Sequence, residues 1–261
     1  MRFSAASKKD LELIVVPDHE ATGKIIADSL RDMIGNAPSG DLSVFFATGS
    51  TPMPAYRRLV EMHRQGAISF RKVNAFTLDE YYDLAPSDPH SFRNVIKEAL
   101  FDHVDLPAQN MHFFDTVLKN PEKICRLFEG EVKQSGGIDA MILGIGSNGH
   151  IAFNEPGTTR SSRTRLIDLT EETRNANARF FKSAGRVPKQ AFTVGIGNIL
   201  EARNVLLIAT GAGKAAAIER SLSGPVTPDV PASFLQELEG GLTVVLDYDA
   251  AARLDLNVSI A

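Results

Sequence analysis

A glycine-rich segment, GIGSNGHIAFNEPG at residues 144–157, carries the side chains best suited to moving protons. Histidine titrates nearer neutral pH than other side chains, so His150 is suited to accept a proton and return it within one reaction cycle. Glu155 lies five residues further on, where a carboxylate is able to orient the imidazole. A metal is not expected, because only these two residues offer local ligands and no His-Glu-x-x-His pairing exists. A glycine-rich turn with a structural histidine is the less favoured interpretation.

A second segment with chemical potential is TGSTP at residues 48–52, which joins a predicted strand to a predicted helix. Small residues let backbone N–H groups face an anion, and the helix N-terminus adds a favourable field. The segment therefore predicts a phosphate cradle at Gly49, Ser50 and Thr51. The alternative is an ordinary turn in which a hydroxyl caps the helix.

Charged side chains stand at three other element ends. Asp79 and Glu80 follow a predicted strand and form either a general base with a helper or a solvated turn. Arg179 lies next to two phenylalanines, and Lys214 lies where a helix begins after a strand. Considered singly, Arg179 and Lys214 are each interpreted most simply as an ordinary charged residue on the surface. Together they are able to supplement the phosphate cradle, the arginine as a fork and the lysine as a point charge.

Short apolar segments alternate along the chain with segments of helical period. The predicted strands are 13–16, 42–47, 73–78, 138–143, 205–209 and 242–246, and the predicted helices are 20–33, 52–64, 92–101 and 214–222. This alternation predicts a parallel sheet covered on both faces. We therefore expect one α/β domain over residues 1–261, a Rossmann-like three-layer fold with a mostly parallel central sheet. Ligands bind at the carboxyl ends of the strands in such sheets, which is where these segments lie.

The composition is that of an ordinary globular protein with a sizeable core: 43% of the 261 residues are hydrophobic and 23% are charged. A net charge of -4 gives no indication of a nucleic-acid or anionic-membrane partner. Cys125 is the single cysteine, which excludes an internal disulfide and a cysteine metal cluster. The sequence shows neither a signal-peptide core nor an apolar run long enough to span a bilayer, so we expect a cytoplasmic location.

Taken in order, these segments resemble the glucosamine-6-phosphate deaminase family, also called glucosamine-6-phosphate isomerase. The stretches that carry the resemblance are ATGSTPMPAYRRLVEMH, FTLDEYYDL, SFRNVIKEALFDHVDLP, GIGSNGHIAFNEPGT, SSRTR, TRNANARFF, VPKQAFTVGIGNIL and GAGKAAAI. They run from about residue 42 to residue 222 in the family's order and spacing. The GxGxxGHIAFNEP stretch is the most specific of them. The more distantly related 6-phosphogluconolactonases share a glycine–histidine loop but lack the FNEP continuation.

The resemblance implies an enzyme that converts an amino-sugar phosphate, D-glucosamine 6-phosphate, to D-fructose 6-phosphate and ammonia without a cofactor. It implies that Asp79 moves a proton between sugar carbons and that His150 opens the pyranose ring with Glu155 as its partner. Asn148 stands where the best-known branch of the family has an aspartate. An asparagine is able to position a ring nitrogen but adds no negative charge, so a charged three-residue relay is not expected.

The resemblance also implies how the substrate is held. A lid over the site is implied for the segment after the FNEP motif, at about residues 156–185. The groups implied to bind the substrate phosphate are the backbone of Gly49, Ser50 and Thr51 and the side chains of Arg179 and Lys214.

A regulatory difference is expected from the segment after the active-site loop. In the allosteric branch, basic residues of this segment bind an activator phosphate between subunits. This chain keeps one of them at Arg165 but has Ile167 in place of a lysine, although Arg160 or Arg163 is a potential substitute. Its last residues, ARLDLNVSIA, include no aromatic residue to close such a site. We therefore expect non-allosteric, hyperbolic kinetics in a monomer or small homo-oligomer, with no requirement for a hexamer.

Other functions predict different behaviour. A 6-phosphogluconolactonase-like hydrolase would hydrolyse a lactone without releasing ammonia, and a deaminase for the galactosamine epimer would differ only in hydroxyl contacts. A non-catalytic sugar-phosphate sensor would need an attached DNA-binding or partner-binding segment, for which the short N-terminal region leaves no room. A dinucleotide-binding protein is disfavoured, because no GxGxxG follows the first predicted strand.

Overall fold

The computed structural model describes residues 2–4, 11–37, 41–181 and 184–255. The strands are β1 (Arg2–Ser4), β2 (Leu11–Val16), β3 (Leu42–Phe46), β4 (Val73–Thr77), β5 (Asp79–Tyr81), β6 (Met111–His112), β7 (Ala140–Gly144), β8 (Arg165–Asp168), β9 (Gln190–Thr193), β10 (Asn204–Ala209) and β11 (Gly241–Asp247). The helices are α1 (His19–Gly35), α2 (Met53–Arg64), α3 (Phe92–Ala99), α4 (Pro121–Gln134), α5 (Glu171–Asn177), α6 (Ile196–Leu200) and α7 (Ala215–Leu222). Every strand and helix predicted from the sequence is confirmed, with ends that differ by one or two residues.

Eight strands within the described ranges form the main sheet, in the order β1-β2-β11-β10-β7-β3-β4-β6. All neighbouring pairs are parallel except β1 with β2. From β3 the chain proceeds outward through β4 to β6, and from β7 it proceeds in the other direction through β10 to β11. The order therefore reverses between β3 and β7, which is a topological switch point. The predicted α/β fold with a mostly parallel sheet is confirmed.

The core lies on both faces of this sheet. Strands β3, β7 and β10 are buried at nearly every successive residue, as expected for strands covered on both sides. Phe45 of β3 stacks on Phe76 of β4 with ring centroids 4.8 Å apart, and Phe128 of α4 packs edge-on against both rings. This packing holds the strands whose carboxyl ends lead into the predicted site.

Close contact with α1 positions helix α2, which begins directly after the predicted phosphate loop. Asp18 caps α1, because its carboxylate accepts the N–H of Ala21 at 2.8 Å. A Cβ added at Gly23 on α1 would lie 2.4 Å from the Cβ of Pro54 on α2. Glycine therefore lets the two helices cross in direct contact, and this contact sets the direction in which α2 leaves the loop.

A second sheet of three short antiparallel strands, in the order β5-β9-β8, was not expected from the sequence. Its strands have the sequences DEY, QAFT and RLID, which are too short and too polar to show an alternating apolar pattern. Residues 79 and 80, for which a solvated turn was one interpretation, instead form part of β5 (Asp79–Tyr81).

The segment predicted to form a lid, about 156–185, contains β8 and α5. Apolar side chains of this segment, of the second sheet and of the residues next to them form a small cluster: Tyr81, Phe153, Leu169, Phe181, Val187 and Ala191. Residues 182 and 183 lie outside the described residues, as do residues 256–261 of the C-terminal sequence considered above. Closure of this segment over a substrate stays a prediction. No helix in the described ranges has both the length and the apolar character that a membrane span requires.

Candidate active site

Four neighbouring strands of the main sheet lead into the predicted site segments. In the sheet order β10-β7-β3-β4, their carboxyl ends precede Lys214, His150, Gly49 and Asp79 respectively. Adjacent strands lie about 4.8 Å apart, so the four segments meet at one edge of the sheet, on either side of the switch point. The structure thus brings candidate residues from each of these four segments to the same edge.

Asn148 connects His150 to Glu155. Its side-chain oxygen lies 2.8 Å from the ring nitrogen Nδ1 of His150 and accepts the backbone N–H of the same residue at 3.1 Å. Its amide nitrogen donates to Oε2 of Glu155 at 2.8 Å, and that oxygen lies 3.6 Å from Nδ1 of His150. An amide oxygen only accepts hydrogen bonds, so this geometry assigns the ring proton to Nδ1 and a lone pair to Nε2. Asparagine therefore links the carboxylate to the imidazole through a dipole.

Glu155 is held in its charged form. Its Oε1 accepts a short hydrogen bond from the hydroxyl of Thr173, and its Oε2 accepts the bond from Asn148. Burial by itself would raise the pKa of Glu155. The contacts with His150, Thr173 and Asn148 outweigh burial and lower that pKa to about 2. No three His, Cys, Asp or Glu side chains in the described part of the chain converge as a metal-ligand set.

The ring of His150 packs directly over the backbone of Gly146. A Cβ added at Gly146 would lie 2.3 Å from both Nδ1 and Cε1 of the ring. The loop is closed by two backbone bonds, from Gly146 N–H to the His150 carbonyl at 2.8 Å and from Gly149 N–H to the Gly146 carbonyl at 3.1 Å. Gly149 has a φ of 94°, which favours glycine. The sequence predicted glycines for positive φ or for close approach of a ligand. At Gly146 the group that approaches is the histidine itself.

The two adjacent carboxyl groups of β5 have different environments. Asp79 is 8% exposed, and burial, helped by the nearby charge of Glu80, raises its pKa to about 8. Glu80 instead accepts backbone N–H bonds of 2.8 to 2.9 Å from Tyr81, Phe92 and Arg93. Two of these donors lie in the first turn of α3, so Glu80 stabilises the start of that helix. Both carboxyl groups are buried, so the alternative of a solvated turn is wrong. The general-base role of Asp79 stays a prediction, and Glu80 has a structural role at the start of α3.

Strand β9 joins β5 to the glycine-rich loop. Asp79 pairs with Thr193 in the second sheet, and the Thr193 hydroxyl oxygen accepts the N–H of Phe153 at 3.1 Å. The carbonyl of the next residue, Val194, accepts the side-chain amide of Asn154 at 2.8 Å. The buried aspartate and the histidine loop are therefore fixed to the same strand.

The predicted phosphate loop has the geometry of a helix start without a side-chain cap. Gly49 has a φ of 93°, which favours glycine, and Ser50 is exposed. Pro52 occupies the N-cap of α2 and makes no side-chain hydrogen bond, so the alternative of a hydroxyl-capped turn is wrong. The carbonyl of Thr51 lies 2.8 Å from Nε2 of His19, which ties the loop to α1. A helix start of this kind offers N–H donors to an anion.

Arg179 and Lys214 approach each other from different elements. Arg179 lies in a 3₁₀ turn that continues α5, with its guanidinium 4.7 Å from the ring centroid of Phe180. Lys214 ends a 3₁₀ turn that leads into α7. Burial lowers the pKa of Lys214, and the positive charge of Arg179 lowers it further. Two cations close enough to oppose each other's charge are stabilised by an anion that contacts both.

Sequence reasoning missed Thr173, the hydroxyl donor to Glu155. The two residues are 18 positions apart, and a threonine in a short polar helix carries no spacing signal. One indication was present, because Thr173 is the first residue of the stretch TRNANARFF that carried part of the family resemblance.

Comparison with known families matches residues 17–244 to the glucosamine-6-phosphate isomerases and 6-phosphogluconolactonases. The chain belongs to this family. A relative from Rhodopirellula baltica, a glucosamine-6-phosphate deaminase, is 45% identical over 94% of this chain and 96% of its own length. A glucosamine-6-phosphate deaminase from Halothermothrix orenii is 46% identical over 80% of this chain and 86% of its own length.

Solved structures of this family share the fold. A monomeric glucosamine-6-phosphate deaminase, 38% identical, superposes with a TM-score of 0.88 over 92% of this chain and 99% of its own. A 6-phosphogluconolactonase from Trypanosoma brucei, 23% identical, superposes with a TM-score of 0.78 over 95% of this chain and 100% of its own. The similarity to the lactonase shows a shared fold only, because the identity is 23%. The similarity to the deaminase extends to the sequence, at 38% identity.

Proposed function

We propose that the protein is a glucosamine-6-phosphate deaminase, which converts D-glucosamine 6-phosphate to D-fructose 6-phosphate and ammonia. The observation that carries the proposal is the meeting of three groups at one sheet edge: a buried carboxyl at Asp79, the linked His150 and Glu155, and a loop suited to phosphate. The names of relatives that are 45% and 46% identical support the same activity. We extend the proposal to a cytoplasmic enzyme, in keeping with a chain that has one cysteine.

Ring opening comes first, because the hydrogen on C2 becomes acidic only beside a free C1 aldehyde. His150 takes the proton of the anomeric hydroxyl at Nε2 and delivers a proton to the ring oxygen as the C1–O5 bond breaks. Between these two proton transfers the imidazole of His150 is cationic. The ionised Glu155 and the Asn148 oxygen near Nδ1 stabilise that cation.

Asp79 carries the proton between the two carbons. In its ionised form it removes the proton from C2, which gives an enolamine, and the same carboxyl returns a proton to C1. The nitrogen on C2 becomes an iminium, water adds at C2, and ammonia leaves as the C2–N bond breaks. Because the substrate's own nitrogen takes up the electron pair, this sequence calls for neither a metal nor an added electron sink. The phosphate stays outside the bond changes and supplies binding energy and orientation.

The direct test of the proposed function is an ammonia-release assay coupled to NADH oxidation, with the two aminohexose 6-phosphate epimers and 6-phosphogluconolactone as parallel substrates. We expect ammonia from glucosamine 6-phosphate and a lower rate with the galactosamine epimer. Lactone hydrolysis without ammonia release would replace the proposal with the hydrolase function.

Replacing Arg179 or Lys214 with alanine is expected to raise KM for glucosamine 6-phosphate by roughly 10-fold to 100-fold, the effect of losing one charge-assisted contact. The phosphate takes no part in bond breaking, so activity on unphosphorylated glucosamine, where measurable, should be unaffected. Steady-state kinetics on both sugars make the comparison. Arg126→Ala, an exposed arginine on α4, is the control. Unchanged kinetics in both site variants would remove these cations from the phosphate site.

We also propose that the enzyme is non-allosteric. By resemblance, the allosteric branch binds its activator phosphate with several basic residues, and a phosphate normally needs more than one cation to offset its desolvation. Here Arg165 donates to Asn154 Oδ1 at 3.0 Å. Ile167 packs against the apolar cluster of the second sheet.

The potential substitutes for the lost lysine have partners of their own, which supports this proposal. Arg160 pairs with Glu237 at 2.5 Å, and Arg163 pairs with Glu201 at 2.5 Å. We therefore expect hyperbolic kinetics for the substrate and no activation by N-acetylglucosamine 6-phosphate. Initial rates with and without that compound provide the measurement. A sigmoidal curve that becomes hyperbolic when the compound is added would show that the activator site is intact and would contradict the proposal.

A further inference from the structure

Helix α5 contacts the proton-moving residues through one buried side chain. Thr173 is 6% exposed, and its hydroxyl donates to Oε1 of Glu155. The hydroxyl of Thr170 accepts the N–H of Thr173 at 3.1 Å and caps the helix, so the first turn of α5 is held independently of Glu155.

The contact determines how the Glu155 carboxylate is turned. With Thr173 bound at Oε1, the other oxygen, Oε2, faces the Asn148 amide at 2.8 Å and lies 3.6 Å from Nδ1 of His150. Each carboxylate oxygen therefore has its own donor. A hydrogen bond from either donor is stronger to a carboxylate than to a neutral carboxyl group, so the two bonds favour the ionised form of Glu155 and restrict its rotation.

The other end of α5 leads to the remaining parts of the site. Asn177 donates to the hydroxyl of Tyr81 at 3.1 Å, and Tyr81 belongs to the strand that begins with Asp79. Arg179 lies in the 3₁₀ turn that continues the helix, and its charge acts on Lys214. A single short helix thus contacts the Glu155 carboxylate and the strand of the buried aspartate, and it leads directly into the turn that carries Arg179.

We propose that Thr173 is a positioning residue that fixes the Glu155 carboxylate toward Asn148 and His150 and joins α5 to them. The inference rests on the proposed function for its kinetic consequence. Thr173 gives its hydroxyl hydrogen bond to Glu155 and touches no reacting atom. Its contribution is to keep Oε2 in the orientation that stabilises the imidazolium formed during ring opening.

The test compares Thr173→Val, which keeps the shape and loses the hydroxyl, with Thr173→Ser, which keeps the hydroxyl. For the valine variant we expect kcat for ammonia release to fall about 10-fold to 100-fold, with KM changed by less than about threefold. The serine variant should stay within about threefold of the wild type. Equal losses in both variants, or no loss in valine, would overturn the role of the hydroxyl.

Thr170→Ala is the matched control, since it weakens the cap of α5 without touching Glu155. A loss equal to that of Thr173→Val would assign the effect to helix stability and overturn the proposal. A second readout needs no activity: the carboxyl carbon of Glu155, followed by carbon-13 NMR against pH. We expect the titration midpoint of the Glu155 carboxyl group to rise by roughly one pH unit or more in Thr173→Val and to stay unchanged in Thr173→Ser. If the wild type releases no ammonia, the proposed function fails, and the NMR titration still decides the role of Thr173.

Discussion

Asp79→Asn is expected to lower kcat for ammonia release by about 10²-fold to 10⁴-fold, the usual effect of losing one general base. Asparagine keeps the size and one hydrogen-bond acceptor of the carboxyl, so substrate binding should persist while proton transfer at C2 is lost. Exchange of the C2 hydrogen with deuterated solvent, followed by proton NMR, measures that step directly. Asp83→Asn, an exposed carboxylate on the same segment, is the control. Exchange at the wild-type rate in Asp79→Asn would show that another group is the base.

The raised pKa of Asp79 adds a pH signature to this variant. Burial raises that pKa from 3.8 to about 8 in the folded protein, while the unfolded chain releases the proton near 3.8. Between these values the folded state holds a proton that the unfolded state has lost, so wild-type stability falls as pH rises from about 4 to 8. Burial also raises the pKa of Glu80 to about 7, which adds a slope of the same sign. Asp79→Asn removes the part of the slope that belongs to Asp79 and should gain stability relative to wild type toward pH 8. Urea unfolding at pH 5 and pH 8 measures the difference. In the wild type, kcat/KM should rise toward pH 8, as the base ionises.

Gly146→Ala is expected to lower kcat by about 10²-fold or more, because it displaces the imidazole that opens the sugar ring. The added methyl group would lie 2.3 Å from two atoms of His150, so the ring must leave its place beside Asn148. The imidazole is a rigid ring and cannot avoid the methyl group by moving one atom, so we expect the whole ring to be displaced. Steady-state kinetics and a crystal structure of the variant provide the measurement.

Gly130→Ala on α4 is the control for the general effect of replacing glycine, since its added Cβ meets no atom within 4 Å. We expect that variant to keep wild-type activity. A Gly146→Ala enzyme with normal kcat, or with His150 still 2.8 Å from Asn148, would show that the loop backbone yields and the histidine does not.

The sequence predicted six of the eight strands in the main sheet, because those six are continuous apolar runs that alternate with amphipathic helices. For the same reason, the sequence also predicts that the loops after β3, β4, β7 and β10 lie at one edge of the sheet. Strands β1 and β6 were missed because they are only three and two residues long. The second sheet was missed because β5, β8 and β9 are three or four residues long and gain their stability from one another. Helix α4 was missed although Asn120 and Pro121 are typical of a helix start.

Side-chain contacts across long sequence distances were the least predictable part of the site. Spacing suggested that Glu155 orients His150, but it carried no information on the amide bridge through Asn148 or on the hydroxyl of Thr173. The DEY motif identified two carboxyl groups but did not show that they have different roles. The difference in role depends on the backbone N–H groups of α3, which lie close to Glu80 only in the folded chain.

The place of β2 in the sheet has a consequence for how the polypeptide folds as it leaves the ribosome. This strand is made well before β11, which is its partner in the main sheet apart from the short β1. Leu13 pairs with Val244, so the two strands are separated by roughly 230 residues of nascent chain. Until β11 emerges, the apolar strand β2 has an open edge, which is the kind of surface that recruits chaperones or aggregates. We therefore expect the central strands to assemble first and the β2 side of the sheet to close only once β11 has emerged from the ribosome.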